Sequence, residues 1–230
     1  MKKRFLLPLV SAVLLSGCFS APAPTHYYML NLGEPTASPK QFPCRIYLQK
    51  TTIDQAYKRQ NIVYRESPYE FMFYGNSLWA SAPASLINQS IQGYFLRLNI
   101  VDFFESNVTA RPDFELLSHV EVIEEVDEGE NRFARIAIKF IFRKTDNEQD
   151  LWSKRYDQKR AYSGNKVKDM AIASSELLAS YLDDVSKEIQ KVLSSIPESE
   201  LRASMESSNL QTADKQLENA EENIEAPEEE

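Results

Sequence analysis

Twelve positions near the end of the chain recur in steps of three and four: Val167, Met170, Ala171, Ser174, Leu177, Leu178, Tyr181, Leu182, Val185, Ile189, Val192 and Leu193. The spacing predicts one helix of about seven turns with a broad apolar stripe. Asn165 is its candidate cap and Pro197 its stop. A stripe so wide must be covered, so the chain upstream has to supply a sheet or further helices.

Short aromatic and β-branched runs meet that need. Residues 27–32 and 44–50 read as strands, separated by a loop containing Pro35, Pro39 and Pro43. Residues 61–66 and 69–74 flank Ser67 and Pro68 and predict a hairpin. The period then changes, with Leu86, Ile87, Ile91, Tyr94, Phe95 and Leu98 marking a helix over 82–98. Ser81 is a candidate cap, and Pro83 sits where a missing N–H costs nothing. Phe114, Leu116, Val120 and Val122 alternate with polar residues, as do Ala134, Ile136, Ile138, Phe140 and Phe142 beyond the polar stretch 127–131. These predict a long hairpin, followed by a strand over 150–161. The expectation is a single α/β domain of the α+β kind, a mostly antiparallel sheet with two amphipathic helices on one face.

The N-terminus has a different character. Lys2, Lys3 and Arg4 precede an apolar stretch over 5–15 and the tetrapeptide Leu15-Ser16-Gly17-Cys18. Eleven residues span about half of a ~30 Å hydrocarbon core, so the segment predicts an export signal rather than a membrane span. The tetrapeptide matches the lipobox of bacterial lipoproteins, which implies cleavage before Cys18 and lipid on its sulfur. Phe19 follows the lipidated position where Asp would favour inner-membrane retention, so the periplasmic face of the outer membrane is expected. The predicted organisation is a removed signal over 1–17, a lipidated tether over 18–26, the α/β domain over 27–197 and an acidic tail over 198–230.

Charge supports that partition. The formal net charge is −8, but residues 1–17 carry +3, the body 18–197 has 21 basic against 23 acidic side chains, and the tail carries −9. A body this close to neutral has no basic surface for nucleic acid. The tail has few large apolar residues and is expected to stay disordered or loosely helical, as a solubilising extension or an acidic interaction tail.

Motifs for catalysis are missing. The sequence contains no glycine-rich phosphate loop, no G-x-S-x-G and no H-E-x-x-H, and its two histidines, His26 and His119, lack ligand spacing. No cofactor or metal is expected beyond the covalent lipid on Cys18. Glu121, Glu124, Glu125, Asp127, Glu128 and Glu130 crowd together without the spacing of a calcium loop and read as a solvated turn. With Cys18 lipidated, Cys44 has no partner and is expected to be buried and inert. The chain reads as a non-enzyme.

Four stretches resemble the ABC-type transport auxiliary lipoproteins, which include the PqiC-type lipoproteins of Gram-negative envelopes. Tyr27-Tyr28-Met29-Leu30 follows the lipobox like that family's first strand. Asn61-Ile62-Val63-Tyr64-Arg65 is similar to its Gln-Ile-Val-x-Arg. Leu78-Trp79-Ala80 stands between strand and helix like its Arg-Trp-Ala, with Leu in place of Arg, and a strand carrying Trp152 leads into the last helix.

The resemblance implies a component working with an ABC transporter and an MCE-domain protein to move phospholipid or other hydrophobic molecules between the two membranes. It also implies organising roles for Arg65, Trp79 and Trp152. The aromatics Tyr64, Tyr69, Phe71, Phe73 and Tyr74 exceed what one buried face needs, so the hairpin is expected to contact partner or lipid. Trp79 is the remaining candidate contact, although an isolated Trp more often packs in a core. A different reading remains open, in which the chain is an outer-membrane lipoprotein regulating or assembling cell-wall or lipopolysaccharide machinery.

Overall fold

The longest strands organise the architecture, which is a computed structural model describing residues 23–107, 110–203, 206, 207 and 210. Among these residues the strands are β1 (His26–Tyr28), β2 (Phe42–Leu48), β3 (Thr52–Ile53), β4 (Asn61–Arg65), β5 (Met72–Trp79), β6 (Val101–Glu105), β7 (Phe114–Glu128), β8 (Asn131–Lys144) and β9 (Asp150–Tyr162). The helices are α1 (Pro83–Leu98) and α2 (Val167–Ser194), and a 3-10 turn, Gln55–Tyr57, precedes β4.

One edge of β7 pairs antiparallel with β8 over its whole length, from Phe114 opposite Lys144 to Glu128 opposite Asn131. Its other edge is shared in turn by three short strands, all parallel to it. Ile46 of β2 lies opposite Phe114, Thr52 of β3 opposite His119, and Tyr64 of β4 opposite Glu125. Beyond them β6 adds parallel to β2, β5 antiparallel to β4, and β1 parallel to β5.

Five of the eight pairings are therefore parallel, and the sheet is mixed and curled rather than mostly antiparallel. The cause is the path of β2, β3 and β4, which advance along one edge of β7 in its own direction. The hairpin β7–β8 falls where alternation places it, whereas the strand expected over 69–74 is displaced to Met72–Trp79, because residues 66–71 form the turn and the pairing runs on through Gly75 and Asn76 to Leu78 opposite Asn61. A register shift between Val120 and Val122 inserts one extra residue into β7.

Both helices bury the faces their spacing predicts. In α1 these are Leu86, Ile87, Ile91, Tyr94, Phe95 and Leu98, with Pro83 in the first turn. Ala82 rather than Ser81 is its N-cap, and left-handed Asn99 (φ 56°) ends it by donating N–H to the Phe95 carbonyl. Lys166, not Asn165, caps α2, and its N–H donates to the Asp169 carboxylate at 3.3 Å.

The α2 stripe lies over β8 and β9, where the Tyr181 hydroxyl donates to the Ile136 carbonyl at 3.0 Å and the Tyr156 and Tyr181 rings stand 4.7 Å apart. Tyr94 donates to Asp183 and joins the two helices. Burial of each large apolar side chain in this core contributes about 1.5–3 kcal/mol.

Pro197 follows the end of α2, but residues 198–203 are helical again and Leu201, 3% exposed, joins the core. Residues 1–22, including the export signal and Cys18, and most of the acidic tail lie outside the described residues. Among the described residues no helix is long and apolar enough to cross a membrane.

Candidate functional site

The β4–β5 hairpin brings together five of the six aromatic candidates, on two faces and a tip. Tyr64 and Tyr74 face each other with ring centres 4.6 Å apart. Phe71 and Phe73 meet edge-on at 5.3 Å, and Phe71 makes a similar contact with Tyr57 of the 3-10 turn. Arginines flank the phenylalanines: the Arg65 guanidinium lies 5.6 Å from the Phe71 ring, and that of Arg59 5.3 Å from Phe73.

Tyr69 stands at the turn, 94% exposed. Trp79 does not join this surface. It is 1% exposed at the far end of β5, with its backbone N–H donating to the Gln60 carbonyl at 2.7 Å, and it packs in the core.

Beneath the hairpin lie two carboxylates that alternation alone does not place. Glu124 and Glu125, 0% and 1% exposed, are inside β7 rather than in a solvated turn. The extra residue near Val120 shifts the phase of the strand. It puts Ile123 and Glu125 in step with Val120 and turns Glu124 to the opposite face, across from Arg135.

Each carboxylate is saturated by partners. Glu124 accepts the Tyr57 hydroxyl at 2.5 Å and pairs with Arg65 at 3.0 Å and Arg135 at 3.3 Å. Glu125 accepts the Tyr74 hydroxyl at 2.9 Å and faces Tyr162. Burial raises the Glu125 carboxyl above its ordinary value, against the lowering effect of the two tyrosines and Arg132. Desolvation and Glu125 push the Tyr74 phenol up, and desolvation and Glu124 do the same to Tyr57. Outside them, Arg135 and Arg155 clamp Asp157 and hold its carboxyl below the usual range.

A cleft of about 330 Å³ opens beside this cluster, lined by Arg65, Pro68, Glu124, Asp127, Arg135 and Lys159. Along it Arg65 and Arg135 pair with Glu124, Lys159 with Glu128 and Asp127 with Arg132, a network that fixes the position of the hairpin. A broader groove of about 830 Å³ runs between residues 27–33 and α2, with Tyr27, Met29 and Ile172 exposed along it. Cys44 is fully buried, and desolvation, with Asp113 and Asp102 nearby, pushes its thiol well above the ordinary range. Among the described residues no group of His, Cys, Asp or Glu is arranged to hold a metal ion.

Comparison with known proteins gives this geometry a context. A family model described as "ABC-type transport auxiliary lipoprotein component" matches residues 28–186. No curated protein matches the sequence. Among solved structures, protein XCC0632 from Xanthomonas campestris superposes with a TM-score of 0.67 at 16% identity, covering 73% of this chain and 96% of that one. An uncharacterized protein does so with 0.59 at 14% identity, covering 73% and 99%. At such identities the two structures show a shared fold and nothing more.

Proposed function

The chain belongs to the ABC-type transport auxiliary lipoprotein component family, and from that premise we propose that it serves an MCE-type envelope system that moves phospholipid or other hydrophobic molecules between inner and outer membranes. The family match over most of the ordered body carries this reading. Lipid on Cys18 holds the protein to the periplasmic face of the outer membrane, where the body docks the MCE-domain protein and, through it, the ABC transporter subunits. Its role is non-enzymatic. The family description, an auxiliary component of transport, supports this.

The hairpin aromatics Tyr64, Tyr69, Phe71, Phe73 and Tyr74 form the contact surface for partner or lipid. Tyr69, 94% exposed at the tip, and the half-buried rings of Tyr64, Phe71, Phe73 and Tyr74 clustered behind it support that role. The test follows labelled phospholipid between the two membranes in cells with and without the chain. Slower exchange on its loss, restored by the wild type and not by Cys18→Ala, is the expected result. Unchanged exchange accompanied by altered peptidoglycan or lipopolysaccharide would favour an assembly lipoprotein instead.

A further inference from the structure

We infer that the turn of the β4–β5 hairpin, with Tyr69 at its outermost point, touches the lipid surface in which Cys18 is anchored. The inference deepens the proposed function and rests on its lipid anchor. β1 enters the sheet parallel to β5, with His26 opposite Ser77 and Tyr28 opposite Trp79. Just upstream, the Ala23 carbonyl accepts the Asn76 side-chain amide at 3.4 Å. The chain therefore reaches β1 from the side on which β5 begins, and that is the side where the hairpin turns.

Reach limits how far the body can stand from the membrane. Five residue steps separate Ala23 from Cys18, and an extended chain covers at most about 3.6 Å per step, so the lipidated residue lies within about 18 Å of Ala23. With Ala23 hydrogen-bonded to Asn76, the hairpin end of the body is the end held against the lipid.

The chemistry of that end suits a bilayer interface. Tyr69 is 94% exposed beside exposed Pro68. Tyrosine places an apolar ring and a polar hydroxyl at headgroup depth. Exposed Glu66 and Glu70 flank the turn, while Lys58 and Arg59 lie where β4 begins, at the opposite end of the hairpin, so the tip engages lipid through the Tyr69 ring and hydroxyl rather than through charge. One aromatic tip adds little to the affinity of several acyl chains, so its effect is to choose which side faces the lipid.

The orientation has a consequence for docking. β4 meets β7 at Glu125 and β2 meets it at Phe114, eleven residues earlier, a separation of about 36 Å along the strand. The end of the body carrying exposed Leu96 and Phe103 is thereby turned away from the membrane.

The test uses the full-length lipidated protein in vesicles of phosphatidylethanolamine and phosphatidylglycerol containing nitroxide-labelled lipid. Tyr69→Cys and Gln149→Cys each carry an environment-sensitive fluorophore, and buried Cys44 does not compete for the label. Gln149 lies in the β8–β9 turn, at the Phe114 end of β7. The expected result is loss of emission and a blue shift at position 69, with position 149 unaffected.

Equal quenching at both positions, or none at 69, overturns the orientation. A crosslink from position 69 to an MCE protein without quenching replaces lipid by protein as the occupant. Mass spectrometry separates the two levels of failure. A Cys18 without lipid overturns both the anchor and the orientation, whereas a lipidated Cys18 with an unquenched tip overturns the orientation alone.

Discussion

The Tyr57 hydroxyl donates to the Glu124 carboxylate at 2.5 Å, joining the 3-10 turn before β4 to the buried interior of β7. Glu124→Ala would leave that hydroxyl and two arginines without their shared acceptor. Arg65 and Arg135 keep 30% and 28% of their side-chain surface in solvent, so water replaces part of what is lost. The expected destabilisation is about 2–3 kcal/mol, read as a lower urea midpoint.

Glu125 makes the opposite contribution. Burial holds its folded-state carboxyl above the ordinary 4.5, so between those two values the native state binds more protons than the unfolded chain. Stability contributed by the protonated form is present below the ordinary value, falls as pH rises through the window and is gone above it. Glu125→Gln keeps an acceptor for Tyr74 and removes the titration. Thermal unfolding should show a higher Tm than the wild type at pH 7 and a flatter pH dependence across the window.

Trp79 and Tyr69 separate core from contact. Trp79→Ala empties a fully buried site and is expected to cost about 3–5 kcal/mol. Tyr69→Ala removes a side chain with almost no packing and should stay within about 0.5 kcal/mol of the wild type. Chemical denaturation of both variants checks the assignment, and a large loss for Tyr69→Ala would contradict it.

The Cys44 thiol should resist alkylation at pH 8 in the native protein, because burial and the nearby Asp113 and Asp102 suppress its thiolate. Labelling rates measured against urea should rise only with global unfolding. Rapid labelling in the absence of denaturant would place the thiol at an accessible surface.

Much of this architecture was legible because helical and hairpin periodicities are local. The stripe of α1 from Leu86 to Leu98 and the β4–β5 hairpin each follow from residues within a few positions of one another. The parallel pairing of β2, β3 and β4 on β7 was not legible. Ile46 meets Phe114 across 68 residues, and nothing in either segment specifies direction.

The buried carboxylates escaped for another reason. A single extra residue between Val120 and Val122 changes which face each later side chain occupies, so Glu124 and Glu125 read as part of a polar turn. Arg65, singled out by the resemblance, pointed to the cluster, but its partner could be found only in three dimensions.

The partnership itself is tested most directly by purifying the lipidated protein from native membranes after mild crosslinking and identifying its proteins and lipids by mass spectrometry. The expected result is an MCE-domain protein, ABC permease and ATPase subunits, and phospholipid in the same particle. Recovery of cell-wall or lipopolysaccharide assembly proteins, with no transporter subunit among them, would contradict it.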